Sequence, residues 1–195
     1  FSLCRKAGGS TAAICYSWMS ELYSRAPYVS DRDRVQLDVE GSIQYGMYYW
    51  DDNYPDSHVF AEGECLRKTF DPDFMLYHTM AVDEWGHMKG ADSAEYANAV
   101  AAVGHLIAAR MPEWLQTGYQ VVVTADHGMN NLGIHVGTEH AQREVALYIF
   151  SDKVENGRFE ENYISQLNVA PLVCKLMGVP ATEGMKQELE IVFSK

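Results

Sequence analysis

The sequence predicts an α/β fold in which a mostly parallel sheet is flanked by helices. Residues 74–82 and 119–125 are apolar runs of strand length, as expected for strands that are buried on both faces. Between these runs, apolar residues recur at helical spacing from Tyr96 to Ile107, which predicts a helix. A strand, a covering helix and a second strand together form the repeating unit of a parallel sheet.

The amino-terminal part of the chain contains one further predicted strand, over residues 11–16 (TAAICY). Thr11 therefore lies at the start of a strand, and we interpret it as a structural residue rather than a nucleophile. Residues 37–55 are aromatic and acidic, and their pattern predicts no defined element. The tyrosines and Trp50 of this stretch are candidates for a substrate-binding wall, with a core or loop role as the simpler interpretation.

The remaining elements lie in the carboxyl-terminal half of the chain. The central helix begins near Asp92 or Ser93, since either side chain can cap a helix amino terminus. Residues 144–150 (EVALYIF) predict a strand beside the run at 119–125. Residues 164–177 are apolar at helical spacing, and Gly178 then ends this predicted helix.

Composition and charge exclude several classes of function. A length of 195 residues fits a single domain, and a hydrophobic content of 47% excludes a disordered chain. The net charge of -12 offers no positive surface for a nucleic acid. No apolar stretch approaches the roughly 18 residues of a membrane span. The 4 cysteines show no C-x-x-C spacing, so neither a zinc ribbon nor a redox pair is predicted. The sequence indicates neither a compartment nor an oligomeric state.

Two aspartates directly follow the two buried runs. Asp83 comes after the first run and Asp126 after the second. Because parallel strands point the same way, both carboxylates should emerge at the edge where open α/β sheets bind ligands. His87 follows Asp83 by 4 residues, and His127 follows Asp126 directly. Carboxylates and imidazoles together are typical zinc ligands.

The spacing within these pairs allows two neighbouring ions. A four-residue spacing places the first pair on one face of a helical turn, whereas adjacent residues such as the second pair point in different directions. The simpler alternative is that the aspartates cap turns or helices and that the histidines are ordinary surface residues. Two more histidines, His135 and His140, lie in the polar loop that follows, and they compete for one further ligand position.

The other histidines considered are not predicted ligands. His105 lies opposite the apolar stripe of the central helix, so it should face solvent. His78 lies inside the first buried run and is predicted to be a hydrogen-bonded core residue.

Several segments match motifs of one known family. Residues 83–90 fit D-x-x-G-H-x-x-G, residues 126–129 fit D-H-G-M, and residues 133–137 fit G-x-H-G-G with valine in place of the fourth residue. Residues 143–147 fit R-x-V-P-L with alanine for proline, and residues 168–180 contain the Ala-Pro helix and its closing L-x-G-x-P. This pattern resembles the alkaline phosphatase superfamily, and most of all its nucleotide pyrophosphatase and phosphodiesterase branch, the type I phosphodiesterases.

The resemblance implies a partial alkaline phosphatase-like core with two zinc ions at the sheet edge, manganese or magnesium being the less favoured metals. One ion would be held by Asp83, His87 and His135, and the other by Asp126, His127 and ligands from elsewhere. The register of the third motif selects the earlier of the two loop histidines. In the family the remaining ligands are an aspartate and a serine or threonine nucleophile, both earlier in the chain than the matched region. No catalytic residue is therefore identified in this chain. Residues 1–195 are expected to form a single α/β domain. This domain would be the carboxyl-side portion of a larger phosphodiesterase catalytic domain.

The function implied by the resemblance is two-zinc hydrolysis of a small phosphoester, with nucleotides among the candidate substrates. The hydroxyl from the missing segment would attack phosphorus and displace the leaving group, and water would then hydrolyse the phosphorylated enzyme and release the product. The 195-residue chain itself is expected to bind metal but to turn over slowly or not at all. Two alternatives stay open. One is a sister-branch enzyme: a phosphate monoesterase, a phosphonoacetate hydrolase or a phosphosugar mutase. The other is a non-catalytic module that metal ions stabilise.

Overall fold

The computed structural model describes residues 1–157, 163–185, 188–189 and 191–194. The chain divides into two compact units, each made of two segments. The first unit contains Phe1–Ala109 and Asp126–Val145, and the second contains Arg110–Ala125 and the described part of Ala146–Lys195. All the predicted metal ligands belong to the first unit. The single-domain organisation of residues 1–195 stays a prediction.

The first unit is built on a mostly parallel four-stranded sheet. Strand β1 (Thr11–Tyr16) is parallel to β3 (Tyr45–Tyr49) on one side and to β4 (Phe74–Tyr77) on the other. Strand β2 (Val35–Gln36) pairs antiparallel with β3, so the order is β2-β3-β1-β4. The observed bounds of β1 are those predicted, and the predicted α/β class is confirmed.

Helices flank this sheet. Alternate residues of β1 enter different clusters: Ile14 packs with Val59 on one face, and Ala13 and Cys15 pack with Tyr48 on the other. Such two-sided burial explains why a central parallel strand is apolar throughout. The helices that belong wholly or partly to this unit are α1 (Ser2–Lys6), α2 (Trp18–Tyr23), α3 (Ser30–Asp33), α4 (Asp56–Phe70), α5 (Ala81–Lys89), α6 (Ala94–Gln116) and α7 (His140–Arg143).

The stretch 37–55, for which the sequence predicts no element, contains β3. Tyr48 and Tyr49 of this strand are buried in the core, which confirms the core role for these tyrosines. Trp50 follows the strand and is exposed. Its role as part of a substrate-binding wall stays a prediction.

The apolar run 74–82 contains a strand and the start of a helix, rather than one strand. Strand β4 ends at Tyr77, and α5 begins at Ala81. Asp83 therefore lies in the first turn of a helix and not at the end of a strand. Apolar composition alone cannot separate a short buried strand from the buried start of a helix, which explains the difference.

The second unit contains a small antiparallel sheet. Strand β5 (Val121–Thr124) pairs with β6 (Leu147–Phe150) in antiparallel register. Both strands were predicted, but the sequence predicted a parallel partner for β5 from the preceding strand, and that prediction is wrong. An apolar run indicates that a strand is buried, whereas its partner depends on how the connecting segments fold back.

The second unit also contains helix α8 (Val169–Met177), which follows a short 3₁₀ turn at Gln166–Asn168. The helix ends at Gly178, whose left-handed conformation (φ 70°) stops it as predicted. Leu172 and Leu176 of α8 form the core of this unit. Within the described residues, no helix combines the length and apolar character that crossing a membrane requires.

Candidate metal centre

Helix α5 carries the first pair of predicted ligands on one face. The Nε2 atom of His87 lies 3.4 Å from Oδ2 of Asp83, at the i,i+4 spacing of a helical turn. This arrangement follows directly from the helical geometry. The predicted shared face of Asp83 and His87 is therefore observed, although the helix places it there instead of a strand end.

Residues from a distant part of the chain complete the group. Candidate ligand atoms of Asp83, His127 and His135 all lie within 4.8 Å of one another. The His127 ring stacks on the His135 ring with 3.9 Å between centroids, and the His87 ring lies 5.0 Å from His135. Two segments more than 40 residues apart in sequence thus converge on one small volume.

Asp126 lies at the rim of this group. Its Oδ1 atom is 3.7 Å from Nε2 of His127, and its side chain is 67% exposed. The predicted second pair, Asp126 and His127, is thus in place beside the first, with Asp126 open to solvent.

The structure distinguishes between the two loop histidines. His135 lies inside the group with Asp83 and His127. His140 is 90% exposed and pairs with Glu144 on α7 instead. The geometry thus agrees with the register of the third motif, which selects His135.

The side chains present fit a bound cation. Oδ1 of Asp83 is buried and has no hydrogen-bond partner among the described residues. A buried carboxylate oxygen without a partner costs about 1–3 kcal/mol or more, and a metal ion would supply the missing interaction. One carboxylate with two or more imidazoles is also the donor set that zinc prefers over magnesium or calcium.

Backbone carbonyls set the orientation of two of the histidines. Nδ1 of His87 lies 2.8 Å from the carbonyl oxygen of Gly133, and Nδ1 of His127 lies 3.0 Å from that of Gly128. A carbonyl only accepts, so each Nδ1 carries the proton and each Nε2 keeps its lone pair. A hydrogen bond from one ring nitrogen to a carbonyl group leaves the other nitrogen free to bind a metal.

Glycines allow these close approaches. Gly133 has a positive φ of 72°, and a Cβ there would lie 2.7 Å from the His87 carbonyl oxygen. A Cβ on Gly128 would collide with the carbonyl oxygen of Ala141. Only glycine lets the loop lie against α5 and α7 at these two points.

The residues predicted to be structural lie outside the group. Thr11 is fully buried and its hydroxyl donates to the Ser42 carbonyl, so its structural role is confirmed. The His78 carbonyl accepts a hydrogen bond from the Tyr49 hydroxyl at 2.6 Å. Burial lowers the pKa of His78, against an opposing effect of the Asp126 and Asp83 carboxylates. His105 is exposed on α6, as predicted.

A family model for type I phosphodiesterases and nucleotide pyrophosphatases matches residues 4–169, most of the chain and every segment of the candidate centre. The chain belongs to the type I phosphodiesterase and nucleotide pyrophosphatase family. This finding confirms the predicted resemblance to the alkaline phosphatase superfamily.

Relatives of this phosphodiesterase-family chain include transferases and a mutase. It is 27% identical over 157 residues to the mouse GPI ethanolamine phosphate transferase 3, catalytic subunit. The matched region covers 76% of this chain and 14% of the transferase. It is 25% identical over 132 residues to GPI ethanolamine phosphate transferase 2 of Schizosaccharomyces pombe, covering 57% of this chain and 17% of that protein. It is 31% identical over 121 residues to the 2,3-bisphosphoglycerate-independent phosphoglycerate mutase of Wolinella succinogenes, covering 60% and 23%.

The chain therefore spans less than a quarter of the length of each of these relatives. No solved structure gives a significant match to it. The family and the relatives together support a phosphoester-related function for this phosphodiesterase-family chain.

Sequence reasoning missed two buried polar residues beside the centre. Asn130 accepts the backbone N–H groups of Leu132 and Ile134 through Oδ1, and Gln142 donates to the carbonyl of Ile134. Such contacts depend on the path of the loop, which residue spacing does not reveal. The one available signal is the presence of amide side chains in and after a loop rich in glycine.

Proposed function

We propose that this chain carries the metal-binding, carboxyl-side part of a two-zinc phosphoester hydrolase of the phosphodiesterase and nucleotide pyrophosphatase type. The observation that carries the proposal is the convergence of Asp83, His127 and His135 within 4.8 Å. His87 and Asp126 extend this group on either side, at 3.4 Å from Asp83 and 3.7 Å from His127.

In this proposal the five side chains divide between two metal positions. Asp83, His87 and His135 hold one position, and Asp126 and His127 hold the other. Divalent ions bound here would supply Lewis acidity, which neutralises charge on a phosphoryl group and lowers the pKa of water. The exposed side of the group, where Asp126 is 67% exposed, leaves access for a small phosphoester.

The histidines contribute through their fixed tautomers. Because the protons of His87 and His127 point at carbonyl oxygens, neither ring has to reorient when a cation arrives. The nucleophile and the remaining ligand come from a segment outside these 195 residues in this proposal, in keeping with the short share of each relative that the chain spans.

A second candidate function is transfer of the phosphoryl-containing group to an alcohol instead of water. The names of the relatives favour it, since they are ethanolamine phosphate transferases and a phosphoglycerate mutase. Both functions use the same metal positions and differ only in the acceptor that attacks after the nucleophile.

Metal content tests the shared part of the proposal. In a protein that contains this chain and the segment with the nucleophile, element-resolved analysis should find two zinc ions per chain. Asp126→Ala and His135→Ala should each lose one ion, from different positions. Equal loss of both ions in each variant, or no zinc in the unmodified protein, would contradict the division of ligands.

Hydrolysis and transfer are then separated by the product. With a chromogenic phosphodiester in ¹⁸O-labelled water, hydrolysis places the label in the released phosphoryl product, whereas transfer to an added alcohol yields an unlabelled ester. Diester, monoester and phosphonate substrates compared side by side identify the branch. No turnover of any of them with zinc present would overturn both functions.

A further inference from the structure

His127 and His135, two of the candidate metal ligands, lie on a loop rather than on a helix or strand. Residues 125–139 form no regular element, and loops are in general the mobile part of a fold. A metal centre needs its ligands held within a fraction of an ångström. Some contact outside the ligands must therefore fix His127 and His135.

Gln142 makes contacts on both sides of His135. This residue lies on α7 and is 5% exposed. Its Nε2 donates to the carbonyl oxygen of Ile134 at 3.1 Å and to that of Val136 at 3.4 Å. These are the residues directly before and after His135, so one amide group fixes the backbone from which that ligand projects.

The same residue also reaches the segment of His127. The backbone carbonyl of Gln142 accepts the N–H of Gly128 at 2.9 Å, next to His127. Its side-chain Oε1 accepts the N–H of Glu139 at 3.1 Å. The two N–H groups of the amide therefore both donate, and its oxygen accepts. If the amide were rotated by 180°, its oxygen would face two carbonyl oxygens and its NH₂ group would face an N–H group, so the orientation is fixed.

We propose that Gln142 is a positioning residue of the metal centre, which holds His127 and His135 at the separation at which both can bind metal. The inference rests on the proposed function. The group of candidate ligands does not include Gln142, and in this proposal the residue acts through the two loop segments.

Gly137 provides a second way to disturb the Gln142 amide. A Cβ on Gly137 would collide with the Gln142 side chain, since it would lie 2.9 Å from both Cδ and Nε2. The φ of Gly137 is not in the positive range, so a larger residue at this position would act by displacing the Gln142 amide and not by straining the backbone.

A purely structural role for Gln142 is the competing explanation. With Glu139 it forms the capping box of α7, and capping alone would stabilise the helix. The two roles use different atoms. Capping needs Oε1 as an acceptor, whereas positioning needs Nε2 as a donor to the carbonyl groups that flank His135.

Gln142→Glu separates the two roles because it keeps the acceptor and removes the donor. Gln36→Glu is the matched control, since Gln36 is also a buried glutamine, 1% exposed, whose Nε2 donates to Ser20 and to the Asp33 carbonyl. Zinc affinity is measured by calorimetric titration of a protein that contains this chain and the segment with the nucleophile. Cobalt substitution adds an absorption spectrum that reports the number of ligands.

Gln142→Glu should weaken zinc binding by about 10–100-fold, the usual effect of losing an outer contact of a metal site, and should alter the cobalt spectrum. Gln36→Glu should leave both unchanged at a similar loss of thermal stability. Equal zinc affinity in the unmodified chain and in Gln142→Glu overturns the inference. If Gln142→Glu does not fold, Gly137→Ala decides in the same way. If the unmodified protein, with that segment present, binds no zinc, the proposed function itself fails.

Discussion

Asp83 holds the least satisfied polar atom of the centre, and this makes its substitution informative. Asp83→Asn should lower zinc affinity by at least about tenfold. The metal-free protein should not lose stability, because the substitution removes the charge from a carboxylate whose buried Oδ1 has no hydrogen-bond partner in the described residues. Zinc titration and denaturant unfolding in chelator measure the two effects. A loss above about 1 kcal/mol without metal would instead assign the carboxylate a structural hydrogen bond.

His135 and His140 form a natural matched pair at the same scale. His135→Ala should abolish binding at one metal position, because its ring lies within the group of Asp83 and His127. His140→Ala should leave zinc content unchanged, because that side chain is 90% exposed and pairs with Glu144. Metal analysis of the two purified variants is the measurement. Loss of zinc from His140→Ala alone would reverse the ligand assignment.

These two histidines also show which part of the candidate site can be predicted from residue type and spacing. The pairing of Asp83 with His87 follows from helical spacing alone, and the structure contains it. Imidazole chemistry cannot choose between His135 and His140, because both lie in the same polar loop. The path of that loop depends on the contacts of Gln142 and Asn130, which become visible only when the chain is folded.

At the scale of elements, the amino termini of helices α4 and α5 lie in contact with each other. Asp56 begins α4 and is buried, and its Oδ1 accepts the N–H of Ala81, the first residue of α5, at 3.4 Å. Helix α5 has no side-chain cap of its own. The carboxylate of Asp56 therefore serves a free N–H of the helix that carries Asp83 and His87.

Asp56 should make stability depend on pH. Burial raises its pKa, and the N–H groups of Ala81 and Met80 oppose the shift only in part. The folded chain thus holds this proton more tightly than the unfolded chain, so ionisation opposes folding. Relative to Asp56→Asn, the unmodified protein should lose stability as pH rises from about 4 through the raised pKa. Denaturant unfolding of both proteins at several pH values measures the difference. A relative gain with rising pH would mean that the contacts with the N–H groups outweigh burial.

Element types were more predictable than element partners. Strand β1 and helix α8 follow from composition and stop signals, since buried runs and glycine caps are local features. The break between β4 and α5 at residues 78–80 begins at two polar residues, His78 and Thr79, but a short polar interruption of a nearly continuous apolar run does not by itself separate a strand from a helix. The antiparallel pairing of β5 with β6 likewise depends on long-range folding and not on local pattern.

For the molecule as a whole, the sequence predicted which residues meet better than it predicted the sheet that brings them together. The sequence predicts that Asp83 and Asp126 lie at the ends of two parallel strands, at one edge of a sheet. In the structure Asp83 comes from α5 and Asp126 from the start of a loop. The motif spacing brings Asp83, His127 and His135 together whatever elements supply them, and their role as metal ligands stays a prediction.

The net charge of -12 determines how metal should act on the whole molecule. Any divalent cation will relieve some self-repulsion, but only an ion that accepts imidazole nitrogen can bind the group of Asp83, His127 and His135. Zinc at about 100 times its Kd should therefore add about 2.7 kcal/mol of stability per site, whereas magnesium at equal ionic strength should add much less. Thermal unfolding with zinc, magnesium or chelator measures this. His140→Ala is a control that keeps the zinc shift, and Asp83→Asn is the variant in which the shift is reduced by the contribution of one position. Equal shifts with both metals, or an undiminished zinc shift in Asp83→Asn, would show that the stabilisation comes from general screening of the acidic surface and not from the centre.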